Sequence, residues 1–251
     1  MKIDRLPTLT KAMFSDQKKW SKDNWSLTLG EHSSDTEKLL EKINLFDIWS
    51  NALQDSEPTR KLIPEIFLDG YMAIHFACMG LYKYAYVCLR SQLETGLRLV
   101  YFSTHPIEFK WWLNGNEWYR GGLQKDVWGE GYNYFNNLEF IKEFDKKLDK
   151  DKPLFNGVRK SYSKLSKYVH SSPESFQTRP SSISPKYNIE QFKIWQTMFN
   201  EILDYINVIF ILSFYDKFVS FPSTQQKTIF EKGIKNRKFR EKLKEILSEK
   251  H

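Results

Sequence analysis

The sequence predicts an all-α fold, an antiparallel helical bundle with long central helices, on three observations. Glycine is sparse, at 11 in 251 residues, and the Gly/Asn/Asp turns that punctuate a β protein every ~8–12 residues are missing. No stretch alternates apolar and polar residues with period two, whereas several carry apolar residues three and four apart. Aromatic residues make up 16% of the chain and are spread along it, enough for one large core without disulfides or a metal. The division expected is an N-terminal arm over 1–34, a helical bundle over 35–221 and a basic helical extension over 222–251.

Each element has its own signal. Residues 1–30 read as a loose arm followed by a short segment with Trp20 and Trp25. Ser33-Ser34-Asp35 is a helix start, and the apolar positions Leu39, Leu40, Ile43, Leu45, Phe46, Ile48 and Trp49 make the helix behind it a buried one. Pro58 and Pro64 punctuate the next join, and FLDGYMAIHFACM over 67–79 continues a helix from Ile66. Gly80 marks a turn, and a second helix runs from Tyr82 to Ser103 until Thr104-His105-Pro106 stops it. The two read as an αα-hairpin. Residues 107–131, with Trp111, Trp112, Trp118, Tyr119 and Trp128, read as a helix and an irregular loop. Helices follow over 135–150 and 154–169, then a loop over 171–187 with three prolines and six serines. A long helix spans 188–220, and the basic segment beyond Phe221-Pro222-Ser223 reads as one or two short helices.

Composition narrows the function classes. The two cysteines, Cys78 and Cys88, form no CxxC or Cys/His cluster, which argues against structural zinc and for buried thiols in a reducing cytoplasm. MKIDRLPTLTKAMF has no continuous apolar stretch of the kind a secretory signal needs. The most apolar run, YINVIFILSFY over 205–215, lies between Asp204 and Asp216 and is too short to span a bilayer. The net charge is +7, and residues 226–251 hold nine Lys or Arg against four Glu. Such a segment suits a phosphate-bearing partner, and equally a solvated surface helix. No P-loop, GxGxxG, HExxH or GxSxG motif is present, and no cofactor is expected.

Two polar constellations remain. In CLRSQLETGLRL, Arg90, Glu94 and Arg98 are four apart and share one helix face beside the stripe of Leu89, Leu93, Leu97 and Val100. The row reads either as a surface ladder or as Glu94 holding an arginine rigid for a phosphate. In KSYSKLSKYVHSSP, Tyr162, Ser166 and His170 are again four apart, with Lys167 beside them. His170 reads either as a helix-end histidine suited to the dipole or as a general base, since imidazole titrates near neutrality. His75 reads as a core histidine, His105 as a helix-end residue, and His32 and His251 carry little signal.

These two segments carry a resemblance. GLYKYAYVCLRSQLETGLRLVYF over 80–102 has a Gly-aromatic turn followed by Leu-Arg-Ser-x-x-Glu, and Tyr162, Leu165, Ser166, His170 and Pro173 match Tyr-x-x-Leu-Ser-x-x-x-His with a following proline. Together they resemble a helical family of uncharacterised bacterial proteins related to the HEPN superfamily, across roughly 66–215. The resemblance implies a metal-independent endoribonuclease or toxin-type effector in bacterial antiviral defence, active as a homodimer on RNA and leaving 2′,3′-cyclic phosphate and 5′-OH ends. His170 would be the base, Arg90 and Lys164 would contact phosphate, Glu94 would orient Arg90, and Tyr162 and Ser166 would line the site with Lys167 and Arg98. The family's arginine, separated from its histidine by four to six residues, is replaced here by Ser163, Lys164 and Leu165. Lysine lacks the guanidinium fork, so a second implication stands beside the first. That implication is of a non-catalytic helical module, which would be a sensor, assembly subunit or antitoxin-like partner protein in a defence or toxin–antitoxin system. No membrane partner is expected.

Overall fold

The computed structural model describes residues 8–115, 135, 138–148, 153–170 and 186–249, and among these it is all-helical, with no strand. Among the described residues ten α-helices follow in order: α1 Thr8–Ala52, α2 Glu57–Cys78, α3 Tyr82–Thr104, α4 Pro106–Leu113, α5 Glu139–Lys147, α6 Leu154–Val169, α7 Ile189–Ser213, α8 Tyr215–Val219, α9 Ser223–Thr228 and α10 Arg237–Glu249. A π-helical turn, Ile229–Gly233, joins α9 towards α10. Trp118, Tyr119, Trp128, Pro173, His251 and most of the expected 171–187 loop lie outside the described residues.

The α2–α3 hairpin is the centre of the bundle. Gly80 takes φ 73°, and the turn closes with Leu81 N–H on the Phe76 carbonyl at 2.8 Å and Gly80 N–H on the Ala77 carbonyl at 3.0 Å. This is the paired ending that a left-handed residue just past a helix makes. Helix α2 begins at Glu57, earlier than expected. Pro58 sits in the first turn, where its missing N–H has no helical partner anyway, and Pro64 is accommodated inside on an exposed position. Gly70 lets α1 and α3 come close to α2, because a Cβ there would run into Ile43 Cδ1 and Gln92 Nε2.

Helix α1 departs most from expectation. The residues read as a loose arm are helical from Thr8, and the start expected at Ser33 is a kink at His32, with φ −132° and ψ 27°. The buried face of this half is polar: Asn24, Thr28, His32 and Thr36, each four apart. Asn24 Nδ2 donates to the Met79 carbonyl at 3.1 Å, and Thr28 Oγ1 to the Cys78 carbonyl at 3.1 Å. These are carbonyls that the end of α2 leaves without helical partners. Asn24 Oδ1 also accepts from Tyr187 N–H at 2.9 Å.

Helix α7 forms the inner wall. Phe192, Trp195 and Phe199 are buried, and from Ile202 to Leu212 every residue is. Two polar residues inside that run organise the C-terminal segment. Asp204 accepts from Lys42 Nζ at 3.1 Å and from the backbone N–H groups of Lys235 at 2.6 Å and Asn236 at 2.8 Å. Asn207 accepts from Trp49 Nε1 at 3.3 Å and donates to the Gly233 carbonyl at 3.3 Å. The segment expected as a basic extension thus contributes Ile229, Ile234, Leu243 and Ile246 to the same core. The long helix expected over 188–220 breaks at Phe214, φ −115°. No helix among the described residues is long and apolar enough to cross a membrane.

Candidate functional site

Helices α3 and α6 pack side by side and run antiparallel. Arg90 meets Tyr162, and one turn earlier on α3 the Tyr86 ring stacks on Tyr168 at 4.1 Å and 17°. Leu154, Phe155, Val158 and Leu165 seat α6 on the core, and Ser161 joins them by donating to Glu201 Oε1 at 2.6 Å. The bounds of α6 are those the sequence predicts.

This packing joins the two polar constellations at one point. Arg90 Nη2 lies 2.9 Å from Glu94 Oε1 and donates to the Tyr162 hydroxyl at 2.8 Å. Its Cζ is 5.0 Å from the Tyr162 ring centroid. The Arg90 and Glu94 side chains are only 14% and 19% exposed, and Arg90 Nε is buried without a hydrogen-bond partner. The pair is therefore largely buried rather than an exposed ladder, and Arg90 braces α3 against α6 through Tyr162. Arg98 is half-buried two turns further along α3, and it makes no ion pair with Glu94 among the described residues.

His170 is not brought to this brace. It is the C-cap of α6, exposed, with its N–H on the Ser166 carbonyl at 3.0 Å. Eight residues of helix separate it from Tyr162, about 12 Å along the axis. Ser166 Oγ turns back to the Tyr162 carbonyl at 2.9 Å. Lys164 and Lys167 are exposed. The face predicted for Tyr162, Ser166 and His170 is thus graded: two half-buried residues lead to an exposed histidine.

Beside that face lies one the motif search passed over. At about 100° per residue, Arg159, Lys160, Ser163, Lys164, Lys167 and His170 fall within an arc of about 140°, and all six are exposed. Helix α6 carries no Asp or Glu at all. The signal was in the sequence, in the absence of acids from LFNGVRKSYSKLSKYV, but a search for fixed motifs does not score an absence.

Sequence reasoning also missed Asp69. Burial pushes its carboxyl above the ordinary carboxylate range, the Ser91 hydroxyl opposes this, and the charges of Glu65 and Glu94 add to it. Asp69 thus belongs to the electrostatic surroundings of the Arg90–Glu94 pair. Among the histidines, His75 is half-buried with its ring 5.5 Å from Trp25. His105 caps α4, with Nδ1 2.9 Å from the Tyr101 carbonyl. His32, which carried little signal, is buried, stacks on Phe192 at 4.7 Å and leaves Nε2 without a partner. No group of three or more His, Cys, Asp or Glu among the described residues is placed to hold a metal ion.

No family model matches the chain, and neither a curated protein nor a solved structure matches it.

Proposed function

We propose that the chain is a HEPN-like helical module that acts on RNA in bacterial defence, in the cytoplasm and as a homodimer. The outer face of α6 meets the phosphate backbone, and His170 is the general base of a metal-independent cleavage. The observation that carries this reading is the acid-free face of α6, where exposed lysines run up to an exposed imidazole. The His170 imidazole takes the proton of a ribose 2′-OH. The freed oxygen attacks the adjacent phosphorus, the P–O5′ bond breaks, and the departing 5′-oxygen takes a proton from water. The products are a 2′,3′-cyclic phosphate and a 5′-OH. Lys167, one turn before His170, and Lys164 balance charge on the non-bridging oxygens. Arg90 and Glu94 position Tyr162, and through it α6; they do not touch the substrate.

The engagement of Arg90 favours a second reading. Its guanidinium faces Glu94 and Tyr162 and is largely buried, so it does not replace the arginine that an active relative has on the helix of its histidine. The same cationic face would then hold RNA or an acidic partner protein without cutting.

One assay separates the two readings. RNA is incubated in EDTA with the wild-type chain, His170→Ala and Lys164→Glu/Lys167→Glu, and binding is measured alongside. General-base loss lowers cleavage by about 10²–10⁴-fold, and the lysine pair weakens binding with a reduced salt slope. Equal cleavage by wild type and His170→Ala sinks the catalytic assignment. Binding without cleavage establishes an RNA-holding module, and neither binding nor cleavage removes RNA from both readings.

A further inference from the structure

Away from α6, a cavity of about 340 Å³ opens between the second half of α1, α7, the π-helical turn and the start of α10. Five cations line it: Lys38 and Lys42 from α1, Lys232 and Lys235 from the π-turn and the segment after it, and Arg240 from α10. Three carboxylates share the lining, and each is engaged elsewhere. Asp35 lies 3.4 Å from His32 Nδ1, Glu41 accepts from Lys232 Nζ at 2.8 Å, and Glu231 is 3.9 Å from Lys227 Nζ.

The other cations are left over. Elsewhere in the basic segment Lys227, Arg237 and Lys242 each pair with a glutamate three or four residues on. Among the described residues, the side chains of Lys38, Lys235 and Arg240 make no ion pair and no hydrogen bond. Lys42 is buried beside them, and its ammonium donates one hydrogen bond, to Asp204 Oδ1 at 3.1 Å. An ammonium has three protons to donate, so two have no protein acceptor among the described residues. Lys38 stands one helical turn before Lys42, where like charges repel, and the charges of Lys235 and Arg240 also act against the Lys42 cation. The backbone N–H groups of Lys235 and Asn236 on Asp204, and the Gly233 carbonyl on Asn207 Nδ2, fix the turn that carries these lysines. The fold thus holds four cations round one space and gives them a single bonded carboxylate.

We propose that this cavity binds a compact anion of two linked phosphates, the diphosphate group of a small molecule, held by Lys38, Lys235 and Arg240 over Lys42. Three unpaired cations exceed the charge of one phosphate, about −1.5 to −2 near neutrality, and suit two linked ones. The Arg240 fork can take two oxygens at once. The volume lies within the ~300–1,000 Å³ common for ligand pockets. A continuous RNA backbone would also pass Glu41 and Glu231, whereas a compact anion need not. The site stands whether or not His170 cleaves RNA.

The test is calorimetric titration of the full chain with inorganic pyrophosphate, with orthophosphate and a short single-stranded RNA as separate arms. Pyrophosphate binds at one per chain, and tighter than orthophosphate by about tenfold or more, the effect of one further charge-assisted contact. Lys235→Gln and Arg240→Gln each weaken it by a similar factor. Lys38→Gln, at an exposed position, weakens it too while the unliganded melting temperature does not fall, because a cation leaves a crowded set. Lys244→Gln, an exposed cation of α10 outside the lining, and His170→Ala leave it unchanged. Neither heat nor a rise in melting temperature with pyrophosphate at millimolar concentration overturns the site, as does binding that the three lining substitutions leave intact. Orthophosphate binding as tightly as pyrophosphate overturns the diphosphate assignment. RNA that binds tighter than pyrophosphate, and loses the same factor in Lys235→Gln and Arg240→Gln, gives the cavity to nucleic acid instead.

Discussion

Arg90 serves two partners through one nitrogen, and its neighbours set what each substitution costs. Tyr162→Phe removes the hydrogen bond from Arg90, and for that bond the stability loss in urea is about 1 kcal/mol with unchanged far-UV dichroism. Arg90→Met is worse. It leaves the Glu94 carboxylate, 19% exposed and near Asp69, without its cation, and the loss is about 2–3 kcal/mol. If the two substitutions cost the same, the brace is a hydrogen bond and not an ion pair. The thiols give a separate check. Burial pushes Cys78 up to about 12 and Cys88 up to about 11, so at pH 8 the folded chain has almost no thiolate. A thiol-exchange reagent should then reach Cys78 only on unfolding and the half-buried Cys88 slowly in the native protein, and fast labelling of Cys78 in native protein contradicts its burial. The spacing of Arg90 and Glu94 was legible in the sequence. The hydrogen bond of Arg90 to Tyr162 was not, because 72 residues separate the partners and only helix packing joins them.

At the scale of elements, what could be read depended on whether the buried face was apolar. Helices α3 and α6 bury leucines and aromatics at helical spacing, and their limits follow from that. The first half of α1 buries Asn24, Thr28 and His32, so its periodicity is written in residues that a hydrophobic pattern counts as surface. Those side chains are buried because the end of α2 presents carbonyls that need donors, a demand set by a segment 50 residues away. Gly80 was legible as a turn, and its geometry gives a prediction. A Cβ at φ 73° would sit 2.8 Å from the Lys186 carbonyl oxygen. Gly80→Ala therefore costs at least the ~1–2 kcal/mol of the left-handed conformation, read as a lower denaturation midpoint with the helix content retained. A midpoint equal to wild type would mean that the hairpin turn is not under this constraint.

For the molecule as a whole, alkaline pH tests how well the core is sealed. Burial pushes the Tyr82 hydroxyl up to about 12 and raises Tyr86 and Tyr205 further. Above pH ~10 the unfolded chain loses these protons and the folded chain keeps them. Stability therefore falls as pH rises from about 10 to 12. Lys42 acts in the opposite sense: desolvation, only partly offset by Asp204, holds it below its ordinary value, so raising the pH towards 10.5 favours the fold. Cys78 and Cys88, also raised by burial, act as the tyrosines do and from a lower pH, since unfolded thiols ionise at about 8.5. A denaturation midpoint measured across pH ~8–12 should therefore fall, slowed by Lys42 below about 10.5, and a midpoint that holds to pH ~12 contradicts the burial of these groups. The all-helical class was legible because it is a property of composition and period. The place of the basic segment in the core was not, because its anchors are Asp204 and Asn207, two polar residues inside an apolar run. Deleting residues 226–251 consequently removes partners of both, and aggregation of the truncated chain is the expected outcome. A monomeric, fully helical truncation would show instead that the segment is dispensable. Those same anchors set an order of events during synthesis. Lys42 and Trp49 precede Asp204 and Asn207, whereas Gly233, Lys235 and Asn236 follow them, so the polar groups of α7 have all their partners only once the segment through Asn236 has been made. The protein cannot close its interior a piece at a time, and an incomplete chain carries an exposed hydrophobic α7 that marks it for chaperones or degradation.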